Sequence, residues 1–420
     1  MLFDGDSEAI IRSTISLSYR RRFVFIDTQA QLRVQSSRRP SGDLRDIICT
    51  QIPISMLSPY ETAASVTGSR FFGREYEISR ILERPNTNHL ILGIRRIGKT
   101  SLLKEVERRL REDEGESSPH IIYLDCSDLV SADDYIQAVV RKLNPKELPR
   151  LHLQNYCFFF PDFLERMQRM YKHKIIFLLD EIDNLIIAQR ERWDLFRMLR
   201  ASSNKGVFRY ICAGFREAMQ EQFTNASPLF NFAQEVRLNE FSWKQARELI
   251  VLPMAHLGVT FQHKNDILSR IYEKTAGNPN LIQYYCMVLL RHLDKNDQRA
   301  ITLDHLIDVY RDDSFKGHLV GSFMQNTTNR EKGLIYALLN HMNIDRSSYF
   351  TQADMDMVLR QHTICVPHQT LDAACDTLKF IGILHQKGRD FSLTSPVFAR
   401  VLQQTYDVHF LFQKAMEEGL

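Results

Sequence analysis

The sequence lacks paired cysteines, long apolar runs and any large net charge. Its 420 residues include seven cysteines; none forms a CxxC pair, and most lie in apolar stretches. This pattern indicates reduced, buried thiols rather than a disulfide framework or a zinc site. No apolar run approaches the ~20 residues needed to span a bilayer. The formal net charge of +3 gives no overall attraction to nucleic acid or to a membrane surface.

Acidic residues also stand where a secretory leader would be basic and then apolar. Asp4, Asp6 and Glu8 occupy these positions. We therefore expect a cytoplasmic protein with no membrane partner. The chain is too long for one typical hydrophobic core, so several domains are expected.

The N-terminal residues 1–67 have the pattern of an extension that is partly irregular and basic. Short apolar runs alternate with turn-rich stretches such as residues 36–42. Eight arginines between Arg12 and Arg45 face only two aspartates, which gives this stretch a local net charge of +6. Such a run is typical of a solvated arm, but it would also suit contact with nucleic acid or another acidic partner.

Residues 68–238 have the pattern of an α/β domain. Short apolar runs typical of buried strands alternate with helical stretches; the runs are residues 89–93, 120–125, 174–180, 208–214 and 236–238. One helical stretch, residues 100–111, carries its leucines and valine on one face. The alternation predicts a parallel sheet covered by helices.

The pattern changes to helical after residue 238. For residues 239–312 we predict a helical lid subdomain: a helix capped by Ser242 that ends near Pro253, a helix at residues 265–275, and a third helix that begins at Pro279. Residues 313–420 predict a winged-helix domain. Its helices are expected at residues 330–341, 352–361 and 369–378, before a hairpin of residues 383–385 and 391–393.

A glycine-rich loop carries the strongest chemical signal in the sequence. It matches GxxxxGK[ST] between a predicted strand and a predicted helix, which is the context of a phosphate-binding loop. The loop consists of Gly93, Ile94, Arg95, Arg96, Ile97, Gly98, Lys99 and Thr100, followed by Ser101. Its backbone N–H groups would surround the phosphates of ATP or ADP. Lys99 would bind the β- and γ-phosphates, and the Thr100 hydroxyl would bind Mg²⁺.

Two acidic residues follow a run of five apolar residues that predicts a buried strand. Asp180 lies at its carboxyl end, where ligands bind in open α/β sheets, and would hold Mg²⁺ through water. Glu181 would orient and polarise the attacking water as general base. With the glycine-rich loop, this pair predicts an ATPase.

Two further motifs give the sequence a family resemblance. Gly73-Arg74-Glu75 lies in a segment that resembles the hhGRExE motif of the signal-transduction ATPases with numerous domains (STAND) and of their AAA+ relatives. Gly277-Asn278-Pro279 resembles the GxP motif of the same class. The resemblance implies that Gly73, Arg74 and Glu75 pack beside the adenine and ribose. It also implies that Pro279 contacts the base, which would make the lid sensitive to the nucleotide.

Three arginines have two interpretations each. Arg216 follows the predicted strand at residues 208–214, where such ATPases place a sensor near the γ-phosphate; an ordinary exposed arginine fits equally well. Arg95 and Arg96 lie in the phosphate loop itself. They would contact phosphate or a neighbouring subunit, or pair with nearby acids.

The motifs are compatible with two functions. The first is a regulatory ATPase in which the bound nucleotide sets the positions of lid and winged helix, and which acts on a protein partner or effector or by self-association. The second is a DNA-associated AAA+ ATPase, of the replication-initiator or transposition-loader type. The predicted third helix of the winged helix carries Asp372 and Asp376 against one fixed cation, Lys379. That charge pattern favours the first function.

Overall fold

The computed structural model describes residues 24–112, 119–151, 155–171, 173–341, 349–362, 364 and 366–418. The first part of the predicted basic arm, from Arg12, lies outside these ranges. The described chain divides into two compact units. Unit 1 contains residues 24–61, 242–277 and 281–319, and unit 2 contains residues 62–241, 278–280 and the C-terminal segment, residues 320–418. Across the described ranges, no helix is both long and apolar enough to cross a membrane.

The strands of the described residues lie in three sheets. In chain order they are β1 (His89–Leu92), β2 (His120–Asp125), β3 (Ile175–Asp180), β4 (Phe208–Gly214), β5 (Gln234–Arg237), β6 (Thr260–Phe261), β7 (Ala300–Ile301), β8 (Phe350–Thr351), β9 (Leu384–Lys387) and β10 (Asp390–Leu393). The first five form one parallel sheet in the order β2-β3-β4-β1-β5. The predicted parallel sheet is therefore confirmed.

Helices connect and cover the strands. In chain order they are α1 (Thr28–Ser36), α2 (Pro40–Gln51), α3 (Glu75–Leu82), α4 (Lys99–Glu112), α5 (Ala132–Leu143), α6 (Leu148–Leu151), α7 (Tyr156–Tyr171), α8 (Asp183–Gln189), α9 (Asp194–Asn204), α10 (Arg216–Glu221), α11 (Trp243–His256), α12 (Lys264–Thr275), α13 (Pro279–Lys295), α14 (Leu303–Arg311), α15 (Asp313–Met324), α16 (Asn329–His341), α17 (Gln352–Gln361), α18 (His368–Phe380), α19 (Pro396–Thr405) and α20 (Val408–Glu417).

Both faces of the parallel sheet are buried. Alternate residues of the strands, such as Phe177 and Tyr210, pack in one apolar cluster with α5, α7, α8 and α9. The residues that point the other way, such as Leu178 and Ile211, are also fully buried. Continuous apolar strands are expected for a parallel sheet covered on both faces, which explains why they could be recognised in the sequence.

Unit 1 contains more regular structure than the sequence predicted. The predicted turn-rich stretch at residues 36–42 is only partly a turn, since α2 begins at Pro40. The Asp294 carboxylate accepts hydrogen bonds from the backbone N–H groups of Ile54 (2.9 Å) and Ser55 (2.8 Å). The short strands β6 and β7 pair within this unit, although the strand pattern had stopped earlier in the sequence. Residues 24–61 therefore form one compact unit with α11 to α14.

One predicted boundary in unit 1 is wrong. The sequence placed the end of the helix that follows Ser242 near Pro253, but α11 continues to His256. A proline in the last turn leaves only the carbonyl four residues earlier without its helical partner, so one further turn is tolerated. The predicted cap is confirmed, because the Ser242 side chain accepts a hydrogen bond from the Gln245 N–H.

The C-terminal segment contains the three predicted helices and the predicted hairpin, as α16, α17, α18 and β9–β10. Strand β8 adds to the hairpin, which gives the order β8-β10-β9 with antiparallel pairing. Helices α19 and α20 were not predicted. The assignment of this segment as a winged helix, and the domain boundaries at residues 67, 238 and 312, stay predictions.

Candidate nucleotide-binding site

The glycine-rich loop lies between β1 and α4, and its conformation requires glycine at two positions. A Cβ atom at Gly93 would lie 2.7 Å from Cγ2 of Ile97 and 3.3 Å from Cβ of Leu238, so no larger residue fits. Gly98 has a φ of 106°, in the region that favours glycine. Arg96 also has a positive φ, 66°, which is unusual for a residue with a side chain. The loop leads directly into the N-terminus of α4, whose dipole attracts anions.

The predicted phosphate-binding lysine and the predicted general base lie side by side. The ammonium of Lys99 lies 3.4 Å from the Glu181 carboxylate and donates to the Ile94 carbonyl oxygen at 3.3 Å. Lys99 is buried, whereas 37% of the Glu181 side chain is exposed. Glu181 follows β3 with a φ of 51°, and such strained residues concentrate at functional sites.

Asp180 lies at the end of β3 among hydrogen-bond donors. One of its oxygens, Oδ2, accepts the Tyr123 hydroxyl at 2.8 Å, and Oδ1 accepts the Glu181 backbone N–H at 3.1 Å. Burial raises the pKa of Asp180, while hydrogen bonds from Thr100 and Tyr123 oppose that shift. Thr100 and Asp180, the two predicted metal-binding residues, are therefore in contact. Tyr123 was not predicted, because an aromatic residue within a buried strand gives no functional signal.

The Gly73-Arg74-Glu75 segment is joined to the phosphate loop through Arg74. The buried guanidinium donates to the carbonyl oxygens of Asn239 (2.6 Å) and Ile97 (3.4 Å) and pairs with Glu77 (3.2 Å). Burial lowers the pKa of Arg74. Glu75 is exposed and pairs with Arg109 at 2.8 Å. Arg74 thus supports the loop, and the implied contact of this segment with adenine and ribose stays a prediction.

Two residues of α4 hold the chain that approaches this segment. The Ser101 hydroxyl accepts the Val66 N–H at 3.1 Å, and the Glu105 carboxylate accepts the Gly68 N–H at 2.9 Å. Burial would raise the pKa of Glu105, but hydrogen bonds from Arg108, Gly68 and Arg109 lower it to about 2. Glu105 was not predicted, because an acid with arginines three and four residues later has the spacing of an ordinary exposed helix pair.

Arg216 begins α10, two residues after β4, and binds the C-terminal segment. Its guanidinium donates two hydrogen bonds to the Glu331 carboxylate, at 2.8 and 2.6 Å, and a third to the Asn326 carbonyl oxygen. Asn326 also accepts the backbone N–H of Arg95 through its side-chain oxygen at 2.8 Å. Asn326 and Glu331 are both buried. Arg216 is therefore not an ordinary exposed arginine, and neither partner could be identified from the sequence.

The remaining predicted site residues are placed as follows. The side chains of Arg95 and Arg96 are exposed and make no hydrogen bond or ion pair with the described part of the chain. Pro279 begins α13, and residues 278–280 belong to the same compact unit as the phosphate loop. There the Asn280 side chain donates to the Thr62 carbonyl oxygen at 3.0 Å. Contact of Pro279 with a base stays a prediction.

A parallel sheet of this strand order, with a glycine-rich loop after β1 and an Asp-Glu pair at the end of β3, defines an AAA+-related P-loop ATPase that hydrolyses ATP. The chain belongs to the family of ATPase domains found predominantly in Archaea, whose sequence profile matches residues 71–285. Among curated proteins, none is significantly similar in sequence.

Solved structures with the same fold include two archaeal proteins. The Walker-type ATPase PABY2304 of Pyrococcus abyssi is 18% identical, with a TM-score of 0.58 over 82% of this chain and 99% of that one. The ORC2 protein of Aeropyrum pernix, solved in ADPNP and ADP complexes, is 14% identical, with a TM-score of 0.58 over 83% of this chain and 98% of that one. At these identities the likeness is one of fold.

Proposed function

We propose that this ATPase is a regulatory switch of the STAND kind, in which the bound nucleotide sets the position of the C-terminal segment, which we assign as a winged helix. One observation carries the proposal: Asn326 and Glu331 of that segment bind the Arg95 N–H, in the glycine-rich loop, and Arg216, which follows β4. Hydrolysis by such a switch would be slow, since the output is a conformation. The output would be received by a protein partner or by a second copy of the chain.

The proposed catalytic roles follow the geometry of the site. Lys99 would bind the β- and γ-phosphates, and Glu181 would accept the proton of the attacking water. The hydroxyl of Thr100 and the carboxylate of Asp180 are hard oxygen donors in contact with each other, so they fit Mg²⁺, which commonly takes one or two protein ligands beside phosphate oxygens. Bound Mg²⁺ would neutralise charge on the phosphates.

The contacts of Arg216 and Arg95 would make the C-terminal segment sensitive to the γ-phosphate. A phosphate bound by the loop would lie near both donors. Arg95 is in the loop, and Arg216 lies two residues after Gly214, whose carbonyl oxygen accepts the N–H of the loop residue Gly93 at 3.4 Å. A γ-phosphate would compete with Glu331 for the guanidinium and with Asn326 for the N–H. ATP and ADP would therefore differ in affinity for the two arrangements, which is the requirement for a switch.

Pro279 would supply a second connection to the nucleotide. In the STAND resemblance, Gly277-Asn278-Pro279 couples the base to the lid, and Pro279 begins the helix that continues into unit 1. A nucleotide in contact with Pro279 would thus favour one position of the first turn of α13. This connection is independent of Glu331 and is expected to remain when Glu331 is replaced.

Replacing Glu331 by glutamine is expected to release the C-terminal segment from Arg216. The amide keeps the shape of the side chain but cannot pair with a guanidinium charge. Hydrogen bonds to charged groups contribute on the order of 1.5–3 kcal/mol, and 1.4 kcal/mol corresponds to a factor of about ten. We therefore expect release of a fluorescent ADP analogue to be about tenfold faster. Amide hydrogen exchange in residues 320–341 of the ADP form should increase.

Glu217→Gln is the matched control, because Glu217 neighbours Arg216 but its carboxylate pairs with Arg190, which lies outside the C-terminal segment. It should leave both readouts unchanged. In the wild type, exchange in residues 320–341 should differ between ADP and a non-hydrolysable ATP analogue. Identical exchange in the two nucleotide states would show that the nucleotide only stabilises the fold, and the switch would have to be abandoned.

A DNA-binding titration distinguishes the switch from the alternative, a DNA-associated ATPase. The Lys379 ammonium is already engaged, at 2.7 Å from both Asp376 and Gln386, and the Asp372 carboxylate accepts Gln352 at 2.6 Å. Helix α18 therefore offers little positive charge to phosphates. We expect duplex DNA at physiological salt to bind with a Kd on the order of 10⁻⁴–10⁻⁶ M, without sequence preference. Nanomolar, sequence-specific binding in a titration would favour the DNA-associated function instead.

A further inference from the structure

We infer that Tyr123 is a positioning residue that fixes the Asp180 carboxylate for Mg²⁺. Strands β2 and β3 are parallel neighbours, with Asp125 in register with Asp180. From two positions before Asp125, the Tyr123 hydroxyl reaches Oδ2 of Asp180 at 2.8 Å. The inference rests on the proposed role of Asp180 in metal binding and adds to it a residue outside the sequence motifs.

Two of the hydrogen bonds of Asp180 are made to different oxygens of its carboxylate. Oδ2 accepts the Tyr123 hydroxyl, and Oδ1 accepts the Glu181 backbone N–H at 3.1 Å. Because these two donors lie on different oxygens, and Thr100 is a further donor to the carboxylate, rotation of the carboxylate breaks at least one hydrogen bond. Asp180 is only 2% exposed, so water has little access to replace a lost donor. Tyr123 thus contributes to the orientation of the carboxylate.

The ring of Tyr123 is itself held from the phosphate-loop helix. The ammonium of Lys104 lies 5.6 Å from the ring centroid, within the range of a cation–π interaction. Lys104 lies four residues after Thr100 on α4, so the two side chains leave the helix on the same face. Helix α4 therefore contributes to the metal site twice: directly through Thr100, and indirectly through the support of the Tyr123 ring.

Tyr123→Phe removes the hydroxyl and keeps the ring. Residues that orient metal ligands typically change metal affinity by about 10- to 100-fold when they are replaced. We expect the Mg²⁺ concentration that half-saturates the Mg²⁺-dependent binding of a fluorescent ADP analogue to rise about tenfold. Binding of the same analogue in EDTA should not change, because the phosphate loop is untouched. Tyr171→Phe is the matched control: it removes a hydroxyl bound to the Leu143 carbonyl oxygen at 2.9 Å and should leave the Mg²⁺ titration unchanged.

A double-mutant cycle with Asp180→Asn separates positioning from a general structural effect. If Tyr123 acts through Asp180, Tyr123→Phe should cause no further rise in the half-saturating Mg²⁺ concentration in the Asp180→Asn background. An equal rise in both backgrounds, or weaker binding of the analogue in EDTA, would overturn the inference in favour of a packing role. If the Mg²⁺ titration of Asp180→Asn itself matched that of the wild type, Asp180 would not bind the metal, and the positioning role of Tyr123 would be contradicted too. None of these outcomes bears on the switch, which is tested by hydrogen exchange.

Discussion

Replacing Lys99 by alanine is expected to abolish detectable binding of a fluorescent ATP analogue. Lys99 is a buried residue of the loop, and its ammonium lies 3.4 Å from the Glu181 carboxylate. Removing one partner of a buried, hydrogen-bonded charge pair, here that of Lys99 with the phosphates, costs about 2–5 kcal/mol, so affinity should fall by a factor of about 30 to 4,000. The measurement is an equilibrium titration followed by fluorescence anisotropy.

Lys205→Ala is a matched control for this experiment. Lys205 is a lysine of the same compact unit, but its ammonium pairs with Glu165 at 2.7 Å on the surface. It should bind the analogue with the wild-type affinity. Thermal unfolding of both variants without nucleotide should be close to wild type, because Glu181 remains half-exposed and can be hydrated when Lys99 is removed. Normal ATP binding by Lys99→Ala would mean that the loop is not the phosphate site.

Replacing Glu181 by glutamine is expected to preserve ATP binding and to lose phosphate release. An amide can accept a hydrogen bond from water but cannot take its proton. General-base catalysis typically contributes a factor of 10²–10⁴, so single-turnover phosphate release should slow by at least about 100-fold. The amide also removes the charge that Lys99 faces at 3.4 Å, so affinity for ATP should stay equal or rise slightly.

Asp125→Asn provides the comparison for Glu181→Gln. Asp125 ends β2 beside Asp180 at the same edge of the sheet, and its carboxylate accepts the Ser127 N–H at 3.0 Å. It should hydrolyse ATP at the wild-type rate. Wild-type phosphate release by Glu181→Gln would assign the base to another residue and leave Glu181 as a partner of Lys99 only.

The sequence predicted those parts of the fold and site that depend on local patterns. Buried strands such as β3 are continuous apolar runs, and the loop conformation needs glycine at residues 93 and 98, so both leave a signal in neighbouring residues. The contact of Arg216 with Glu331 joins residues 115 positions apart, and that of Arg95 with Asn326 spans 231. Such pairs are set by the path of the whole chain.

Other site residues could not be predicted because their sequence patterns are those of ordinary structural residues. Tyr123 has the appearance of a core aromatic, and Glu105 has the spacing of an exposed helix pair, although its carboxylate is buried and holds Gly68. Arg74 was predicted from the family resemblance alone, and its hydrogen bonds to the loop and to Asn239 became visible only in three dimensions. The catalytic and metal-binding roles stay predictions until the variants are measured.

The C-terminal segment contacts the backbone of Arg95 and the side chain of Arg216, and these two contacts place different limits on substitution. Asn326 recognises a backbone N–H, so any residue except proline at position 95 preserves that hydrogen bond. Glu331 recognises a guanidinium, and lysine cannot reproduce a paired, two-point hydrogen bond. The contact with Asn326 thus places no constraint on the side chain at position 95, whereas the contact between residues 216 and 331 constrains both side chains.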